Sequence, residues 1–329
     1  METNRQEIQP NVPESEAPIR IVVIAGPTAS GKTAFAIEVA KRYNGEIVSC
    51  DSMQLYRYMD IGSAKPTPEE RSQAVHHLID CVDPLAPDGS FSVAKYAAMA
   101  EEAIRDIHSR GRLPIVCGGT GLYLNAILYT MDFADTPSDP AFRAQLDRIA
   151  EEEGPEVLHQ MLQAKDPEAA ERIHPNNVKK VIRALERLEG GETAVQAFSQ
   201  VRQENPLYDP ILIGLTRDRA ELYERIDRRV LQMIDEGLVE EVKGLQQMGL
   251  TEEHISMLGI GYKEILDYLN GNSTLTEAIE RIQKNTRHFA KRQLTWFRRY
   301  DTMSWLNLSE FSSVQEAMEE LFSWLDRRL

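Results

Sequence analysis

An eight-residue stretch near the amino terminus constrains this chain more than any other feature: Gly26, Pro27, Thr28, Ala29, Ser30, Gly31, Lys32 and Thr33. The apolar run Ile19–Ala25 precedes it and residues with helical spacing follow it, which predicts a strand, a glycine-rich turn and a helix. The turn fits the pattern G-x-x-x-x-G-K-[ST], in which backbone N–H groups surround a phosphate. Lys32 supplies a positive charge for the outer phosphates, and the Thr33 hydroxyl suits Mg²⁺. The sequence predicts a phosphate or pyrophosphate site here; a chance glycine turn is the alternative.

Short apolar runs alternate with amphipathic stretches through the first 130 residues, as in Glu46–Cys50, Val93–Ser109 and Leu113–Val116. This alternation predicts an α/β fold with a parallel sheet covered by helices on both faces. His77–Cys81 is a further candidate strand. Ligands of such sheets bind beyond the carboxyl ends of the strands, which is where functional residues are expected.

Changes in composition divide the chain into segments. Residues 1–18 are polar and rich in Pro and Glu, which is typical of a disordered tail. A linker at 132–140 precedes about seventy residues without a β-rich run, which predicts a helical insertion at 131–205 between two parts of the core, 19–130 and 206–329. The candidate helices of the insertion are Arg143–Glu153, Glu156–Gln163, Asn176–Glu189 and Thr193–Gln200.

Charge and cysteine content limit the location and the partners. The three cysteines, Cys50, Cys81 and Cys117, have no disulfide or metal-site spacing, so we expect a reducing, cytoplasmic location. No apolar run is long enough to span a membrane, so no membrane partner is expected. A net charge of −15 argues against a general nucleic-acid binder but leaves room for one local basic face. We expect a monomer.

Two further features follow candidate strands. Asp51 begins a long polar connection, Asp51–Pro66, and long ordered connections are commonly functional. The alternative for Asp51 is a helix N-cap. Gly118–Gly121 lets the backbone approach a ligand closely; a tight turn required by packing is the alternative.

Residues 281–300 contain no acidic side chain, in a chain with 52 of them. On a helix the cations form one stripe opposite the apolar side chains. The predicted basic stripe consists of Lys284, Arg287, His288, Lys291, Thr295 and Arg298, flanked by Arg281, Arg292 and Arg299. A phosphate chain is the favoured partner of this face. The alternative is a helix whose cations pair with the protein's own carboxylates.

Three classes of protein combine these features. They are a metabolite kinase, a nucleic-acid-stimulated ATPase, and a transferase that binds a pyrophosphate leaving group while nucleic acid supplies the nucleophile. An ATPase needs an apolar strand that ends in Asp-Glu. Leu113–Val116 ends in Cys117-Gly118 instead, and Leu78-Ile79-Asp80 is a weak substitute, so the ATPase is disfavoured most. A kinase does not need the basic helix or the insertion.

The motifs together resemble those of the tRNA dimethylallyltransferases, also called tRNA isopentenyltransferases. The resemblance extends from about Ile21 to Tyr300. Its motifs are Gly26–Thr33, Asp51–Pro66, Gly118–Tyr123, Ile173–Glu186, Gly259–Lys263 and Ala290–Arg298. Asp51–Pro66 and Lys291–Trp296 are the most specific, because many families share the first motif.

The resemblance implies an α/β fold with a P-loop NTPase-like parallel sheet core and a helical insertion domain that contacts tRNA. It also implies a reaction in which dimethylallyl diphosphate donates its dimethylallyl group to N6 of adenosine at tRNA position 37. The implied partners are dimethylallyl diphosphate and the anticodon stem-loop of tRNA, and the implied cofactor is Mg²⁺. A P-loop nucleotide kinase and prenylation of a free adenine nucleotide are the alternatives.

The resemblance implies roles for individual residues. Gly26–Thr33 binds the diphosphate, Thr33 holds the metal, and Thr28 and Arg229 face the diphosphate. Asp51 accepts the proton of the adenosine amine, which gives a catalytic set of Asp51, Lys32, Thr28 and Arg229. The implied tRNA contacts are Asp51, Ser52, Met53, Gln54, Thr120, Arg143, Lys179, Lys180, Arg183, Arg287, Lys291, Arg292, Gln293, Trp296 and Arg298.

Two positions depart from the family pattern. The family often has Arg where this chain has Lys180, and Arg also occurs at the position of Lys263. Lysine binds phosphate as a single charge and lacks the paired hydrogen bonds of a guanidinium. Neither departure falls on a catalytic position.

Overall fold

The computed structural model describes residues 17–86, 91–131, 140–190 and 203–329. Contacts divide the chain into two compact units, one formed by Met1–Leu128 with Asn205–Leu329 and the other by Tyr129–Glu204. Three sequence predictions lie outside the described residues: the tail 1–18 except its last two residues, the linker 132–140 except its last residue, and the helix Thr193–Gln200.

The first unit contains a six-stranded sheet in which every pair of neighbouring strands is parallel. The strand order is β3-β2-β4-β1-β5-β6. In chain order the strands are β1 (Ile19–Ala25), β2 (Gly45–Ser49), β3 (His76–His77), β4 (Leu113–Gly118), β5 (Tyr208–Thr216) and β6 (Ser304–Asn307). The predicted α/β class with a parallel sheet is confirmed.

Helices precede and follow these strands. In the described part of the chain they are α1 (Lys32–Arg42), α2 (Pro68–Gln73), α3 (Val93–Ser109), α4 (Gly121–Leu128), α5 (Pro140–Glu152), α6 (Pro155–Lys165), α7 (Pro167–Arg172), α8 (Val178–Glu189), α9 (Arg219–Asp235), α10 (Leu238–Gln247), α11 (Tyr262–Leu269), α12 (Leu275–Phe297) and α13 (Val314–Leu325). Helices α5 to α8 belong to the second unit. Their apolar side chains form a separate core that includes Leu158, Leu162, Val181 and Leu185.

The centre of the sheet is buried on both faces, as parallel strands require. Every residue of β1 except Arg20 is buried. The cluster on one face joins β1 and α1 to α13 through side chains that include Val22, Phe35, Val39 and Leu321. Burial of this cluster fixes the central strands, so the turn after β1 projects from a rigid edge.

The strand β3 is shorter than predicted. The sequence predicted His77–Cys81, whereas the strand covers only His76–His77. Leu78 and Asp80 have φ angles of 59° and 57°, which a continuing strand does not permit. Asp80 accepts hydrogen bonds from Lys65 Nζ at 2.5 Å and from Arg71 at 2.9 Å, so it is held in an ion-pair cluster.

The helix α12 is longer than predicted and begins at Leu275 rather than at Arg281. Thr274 and Glu277 form a capping box at its start, a signal that was present in the sequence. Helices α2, α4, α7, α10 and α11 were not predicted. These five helices lie in segments for which the sequence predicted neither a helix nor a strand.

The turn after β4 lies against the end of β2. The amide of Cys50 donates to the carbonyl of Cys117 at 2.8 Å. A Cβ at Gly118 would overlap the backbone carbonyl of Cys50, which cannot move away as a side chain would. Close approach of the two strand ends therefore requires glycine at this position.

We predict that Gly118→Ala lowers the free energy of unfolding by about 1–3 kcal/mol or more, because the added methyl forces the backbone apart. Gly244→Ala is the matched control: Gly244 lies inside α10 with nothing within 4 Å of a new Cβ. This control should stabilise the protein by about 1 kcal/mol, through helix propensity alone. Urea denaturation followed by circular dichroism measures both changes, and equal stability of the two variants would contradict the prediction.

Candidate functional site

The turn between β1 and α1 adopts a conformation that its glycines make possible. Gly31 has a φ angle of 107°, in the region that favours glycine. A Cβ at Gly26 would overlap the carbonyl oxygen of Leu215 in β5. The predicted strand, glycine turn and helix are therefore present in that order, at the carboxyl edge of the sheet.

Lys32 is the first residue of α1, and its half-buried side chain lies beside the turn. Its Nζ donates a hydrogen bond to the carbonyl of Pro27 at 2.8 Å. Burial lowers the pKa of Lys32 to about 8, although Cys117 and Asp51 act in the opposite direction. The ammonium is thus partly removed from water, and an anion that enters the site would stabilise its charge.

Asp51 lies just beyond the end of β2. Its Oδ1 accepts a hydrogen bond from the amide of Met53 at 3.0 Å, so its local role is in a turn rather than as a helix cap. Burial raises the pKa of Asp51, while the amide of Met53 and the charge of Lys32 oppose the rise. A carboxylate of raised pKa is a better proton acceptor than an exposed one.

One cavity of about 450 Å³ brings Lys32 and Asp51 together. The predicted site residues that line it are Thr28, Ala29, Lys32, Thr33, Asp51, Ser52, Met53, Gln54, Thr120, Arg229, Arg292 and Gln293. Its walls also include apolar side chains that the sequence analysis did not select, among them Ile226, Val230, Met233, Ile260, Ile282 and Phe289. The cavity therefore combines an anion site, a carboxylate and an apolar surface.

A second cavity of about 930 Å³ adjoins the same turn and shares Ala29, Lys32, Thr33 and Arg229 with the first. Burial lowers the pKa of Arg229, a residue of α9. Among the described residues, none forms a hydrogen bond or an ion pair with the Arg229 guanidinium. It is available to an anion bound at the turn.

The glycine turn after β4 is required by packing and also lines the first cavity. Thr120 donates its amide to the carbonyl of Cys50 at 3.1 Å. Its Oγ1 accepts a hydrogen bond from the amide of Ser52 at 3.0 Å. Thr120 therefore holds the backbone on both sides of Asp51.

The connection after Asp51 is held by groups from distant segments. The carboxylate of Glu241 accepts hydrogen bonds from the amides of Asp60, Ile61 and Gly62 at 2.8–3.1 Å. Within the same connection, Lys65 is buried and donates to Asp60 and to Asp80. The sequence analysis missed Glu241, because no local pattern links α10 to a loop 180 residues earlier.

The helix α12 exposes part of its predicted basic stripe. Lys284, His288, Lys291, Arg292, Arg298 and Arg299 are exposed. Arg287 pairs instead with Asp227, and Arg281 pairs with Asp267 at 2.7 Å. The alternative of pairing with the protein's own carboxylates therefore applies to these two cations.

Gln293 and Trp296, both predicted to contact tRNA, are less accessible than the stripe. Gln293 is 5% exposed, and both polar atoms of its amide bind backbone groups of the protein. Trp296 is half-buried, and a Cβ at Gly121 would overlap its ring. Gln293 thus forms its hydrogen bonds within the protein, which the sequence did not predict.

The remaining predicted tRNA contacts belong to the second unit. Lys179 and Lys180 are exposed near the start of α8. Arg143 forms two hydrogen bonds of 2.7 Å with the buried carboxylate of Glu186, and Arg183 lies 3.5 Å from the same carboxylate. The two arginines are therefore paired with a carboxylate of the same unit, whereas the two lysines are exposed.

Neither a metal cluster nor a membrane span occurs among the described residues. No group of three or more His, Cys, Asp or Glu side chains there could hold a metal ion. No helix in the same ranges is both long enough and apolar enough to cross a membrane.

The sequence model of the IPP transferase family matches residues 54–300, about three quarters of the chain. This chain belongs to the IPP transferase family. The matched range contains α9 and α12 and begins after Asp51, so the family assignment does not depend on the glycine-rich turn. The tRNA dimethylallyltransferase of Caldanaerobacter subterraneus is 48% identical over 94% of this family member and 99% of its own length. That of Acetivibrio thermocellus is 49% identical over 93% and 97%.

Solved structures resemble this IPP transferase family member along almost its whole length. The tRNA isopentenylpyrophosphate transferase of Bacillus halodurans is 44% identical, covers 93% of this chain and 95% of its own, and has a TM-score of 0.69. A eukaryotic dimethylallyltransferase, described in crystallographic snapshots as acting on tRNA, is 28% identical with a TM-score of 0.77. It covers 94% of this chain and 80% of its own. The P-loop NTPase-like fold that the sequence predicted is confirmed.

We predict that pyrophosphate binding to this protein weakens as pH rises above about 8, where Lys32 loses its proton before the anion enters. The decline should approach about tenfold per pH unit. Lys32→Arg is the matched control, because a guanidinium keeps its charge over this range. Calorimetric titration of both proteins from about pH 7 to about pH 10 gives the ratio of affinities, in which the ligand's own titration cancels. A ratio that does not change with pH would contradict the prediction.

Proposed function

We propose that this IPP transferase family member transfers the dimethylallyl group of dimethylallyl diphosphate to N6 of adenosine at position 37 of tRNA and releases diphosphate. Its family and its relatives support transfer of the dimethylallyl group to tRNA adenosine. The observation that carries the proposal is the cavity that Lys32, Arg229 and Asp51 line together. Few reactions need two cations for a leaving group and a half-buried carboxylate for a nucleophile within one cavity.

The leaving group is stabilised by the turn between β1 and α1. An allylic diphosphate ionises readily when the charge that develops on its phosphate oxygens is neutralised. Lys32 and Arg229 supply positive charge in a partly desolvated site, where charges interact more strongly than in water. The backbone N–H groups at the start of α1 add the partial positive charge of a helix N-terminus.

Mg²⁺ fits this site through Thr33. Thr33 lines both cavities beside Lys32, and Mg²⁺ commonly binds one or two protein oxygens together with substrate phosphates. A bound Mg²⁺ would supply further neutralisation of the diphosphate charge.

The nucleophile is activated by Asp51. The exocyclic amine of adenine is weakly nucleophilic because its lone pair is delocalised into the ring. A hydrogen bond from N6 to the Asp51 carboxylate orients the amine and removes its proton as the C–N bond forms. The raised pKa of Asp51 increases its strength as the acceptor.

The apolar walls of the cavity suit the five-carbon group. Val230 and Met233 of α9 and Ile282 and Phe289 of α12 line the same cavity as Asp51. They exclude water from the reactive carbon, which protects an allylic cation from hydrolysis.

The tRNA reaches the cavity beside α12. Arg292 lines the cavity, while Lys291 and Arg298 are exposed on the same helix, so phosphate contacts and the reactive site lie on one element. The target adenosine must leave its stack to place N6 at Asp51, which favours a base in the anticodon loop of the stem-loop. We propose that the second unit contacts the same tRNA through Lys179 and Lys180. We propose that the protein acts as a monomer.

We predict that the protein with Mg²⁺, dimethylallyl diphosphate and unmodified tRNA forms N6-dimethylallyl adenosine, and that Asp51→Asn lowers the rate by about 10²–10⁴-fold. Asp235→Asn is the matched control, because Asp235 is exposed and outside both cavities. Mass spectrometry of digested tRNA measures the product.

Three outcomes would contradict this function. They are an absence of product with folded wild-type protein, near-normal turnover by Asp51→Asn, and a preference for free AMP over tRNA as acceptor. A nucleotide panel with ATP tests the kinase alternative, which stoichiometric ADP release would support.

A further inference from the structure

Gln293 is buried at the junction of three segments that are far apart in sequence. It lies on α12 and is 5% exposed. Its Oε1 accepts a hydrogen bond from the amide of Thr28 at 2.9 Å, and its Nε2 donates to the carbonyl of Gly119 at 2.9 Å. One partner is a donor and the other an acceptor, so only one orientation of the side-chain amide satisfies both.

The first hydrogen bond fixes the peptide group that holds Lys32. The carbonyl of Pro27 and the amide of Thr28 belong to the same planar peptide. Gln293 binds the N–H side of this peptide, and Lys32 Nζ donates to its C=O side at 2.8 Å. Rotation of the peptide would break both contacts, so Gln293 sets the direction of the carbonyl that positions the Lys32 ammonium.

The second hydrogen bond fixes the peptide group that holds the backbone of Asp51. The carbonyl of Gly119 and the amide of Thr120 form one peptide. Gln293 binds its C=O side, and its N–H side donates to the carbonyl of Cys50 at 3.1 Å. That carbonyl is part of the peptide that joins Cys50 to Asp51, so Gln293 is connected to the backbone of Asp51 through two peptide groups.

The glycine at 119 belongs to this arrangement. A Cβ there would overlap Nε2 of Gln293, while the φ angle of Gly119 is outside the left-handed region. Alanine is therefore allowed by the backbone at this position but not by the Gln293 amide. The position of the Gln293 side chain therefore explains why residue 119 is a glycine.

We propose that Gln293 is a positioning residue that sets the distance and orientation of Lys32 relative to Asp51, and so aligns the leaving group with the proton acceptor. The proposal rests on the proposed function. It differs from a direct tRNA contact, because both polar atoms of the side chain already bind the protein. Misalignment of reacting groups by about 1 Å costs on the order of 10²-fold in rate.

The test uses Gln293→Glu and Gln293→Leu in the full chain, assayed in single turnover at saturating tRNA and donor. The carboxylate that Gln293→Glu introduces can accept from Thr28 when ionised but cannot donate to Gly119, whereas its protonated form can do both. We expect Gln293→Glu to lose about 10–100-fold in rate at about pH 8.5, and its rate relative to wild type to rise as pH falls. Because Asp51 is present in both proteins, the effect of its titration on the rate cancels in this ratio. Gln293→Leu should be as slow with no rise, and the tRNA dissociation constant of both variants should stay within about twofold of wild type.

Gln283→Glu is the matched control. Gln283 lies on the same helix, is half-buried, and donates one hydrogen bond to the carbonyl of Asp227 at 3.2 Å. It should retain the wild-type rate at every pH. Gly119→Ala gives an independent arm, because its methyl displaces the Gln293 amide; combined with Gln293→Leu it should cause no further loss.

A rate of Gln293→Glu that does not recover at low pH, or a weakened tRNA affinity with a normal rate, would overturn the proposal. Additive losses in the double variant would also contradict it. Pyrophosphate affinity gives a readout without turnover: we expect it to fall about threefold or more in Gln293→Leu, because Lys32 is no longer held. If wild type forms no prenylated tRNA, the proposed function fails, and an unchanged pyrophosphate affinity would then overturn the positioning role separately.

Discussion

Partial burial of two opposite charges in one cavity is the constraint on which the rest of the structure depends. Removal of Lys32 and Asp51 from water opposes the charged form of each, which is why the pKa of Lys32 is lowered and that of Asp51 is raised. A bound diphosphate would neutralise the Lys32 ammonium, and a hydrogen bond from the adenosine amine would stabilise the Asp51 carboxylate. The site is therefore held in a state that its substrates stabilise, as preorganised catalytic sites commonly are.

Rigid backbone contacts maintain this state. The end of β4 approaches the end of β2 closely because Gly118 has no side chain, and Thr120 holds the backbone beside Asp51. Glu241 and the buried Lys65 fix the long connection that follows. The contacts of Gly118, Thr120 and Glu241 join segments that are distant in sequence, so the geometry of the site is a property of the whole first unit rather than of one motif.

The sequence predicted the parts of the site that depend on local patterns. The complete phosphate motif, the order of strand, turn and helix around it, and the amphipathic pattern of α12 are local, and the structure contains them. Positive φ angles at Leu78 and Asp80 ended β3 early without a glycine or proline to signal it. The partners of Arg287 and Gln293 depend on tertiary contacts, which helical periodicity cannot supply. The roles of the tRNA-contact residues stay predictions.

A crystal structure with a thio-diphosphate analogue of the donor and an anticodon stem-loop tests the central claim most directly. We expect the diphosphate on the turn Gly26–Thr33, in contact with Lys32, and the N6 atom of a flipped adenosine within hydrogen-bond distance of the Asp51 carboxylate. An empty turn, or an adenosine amine directed away from Asp51, would contradict the account.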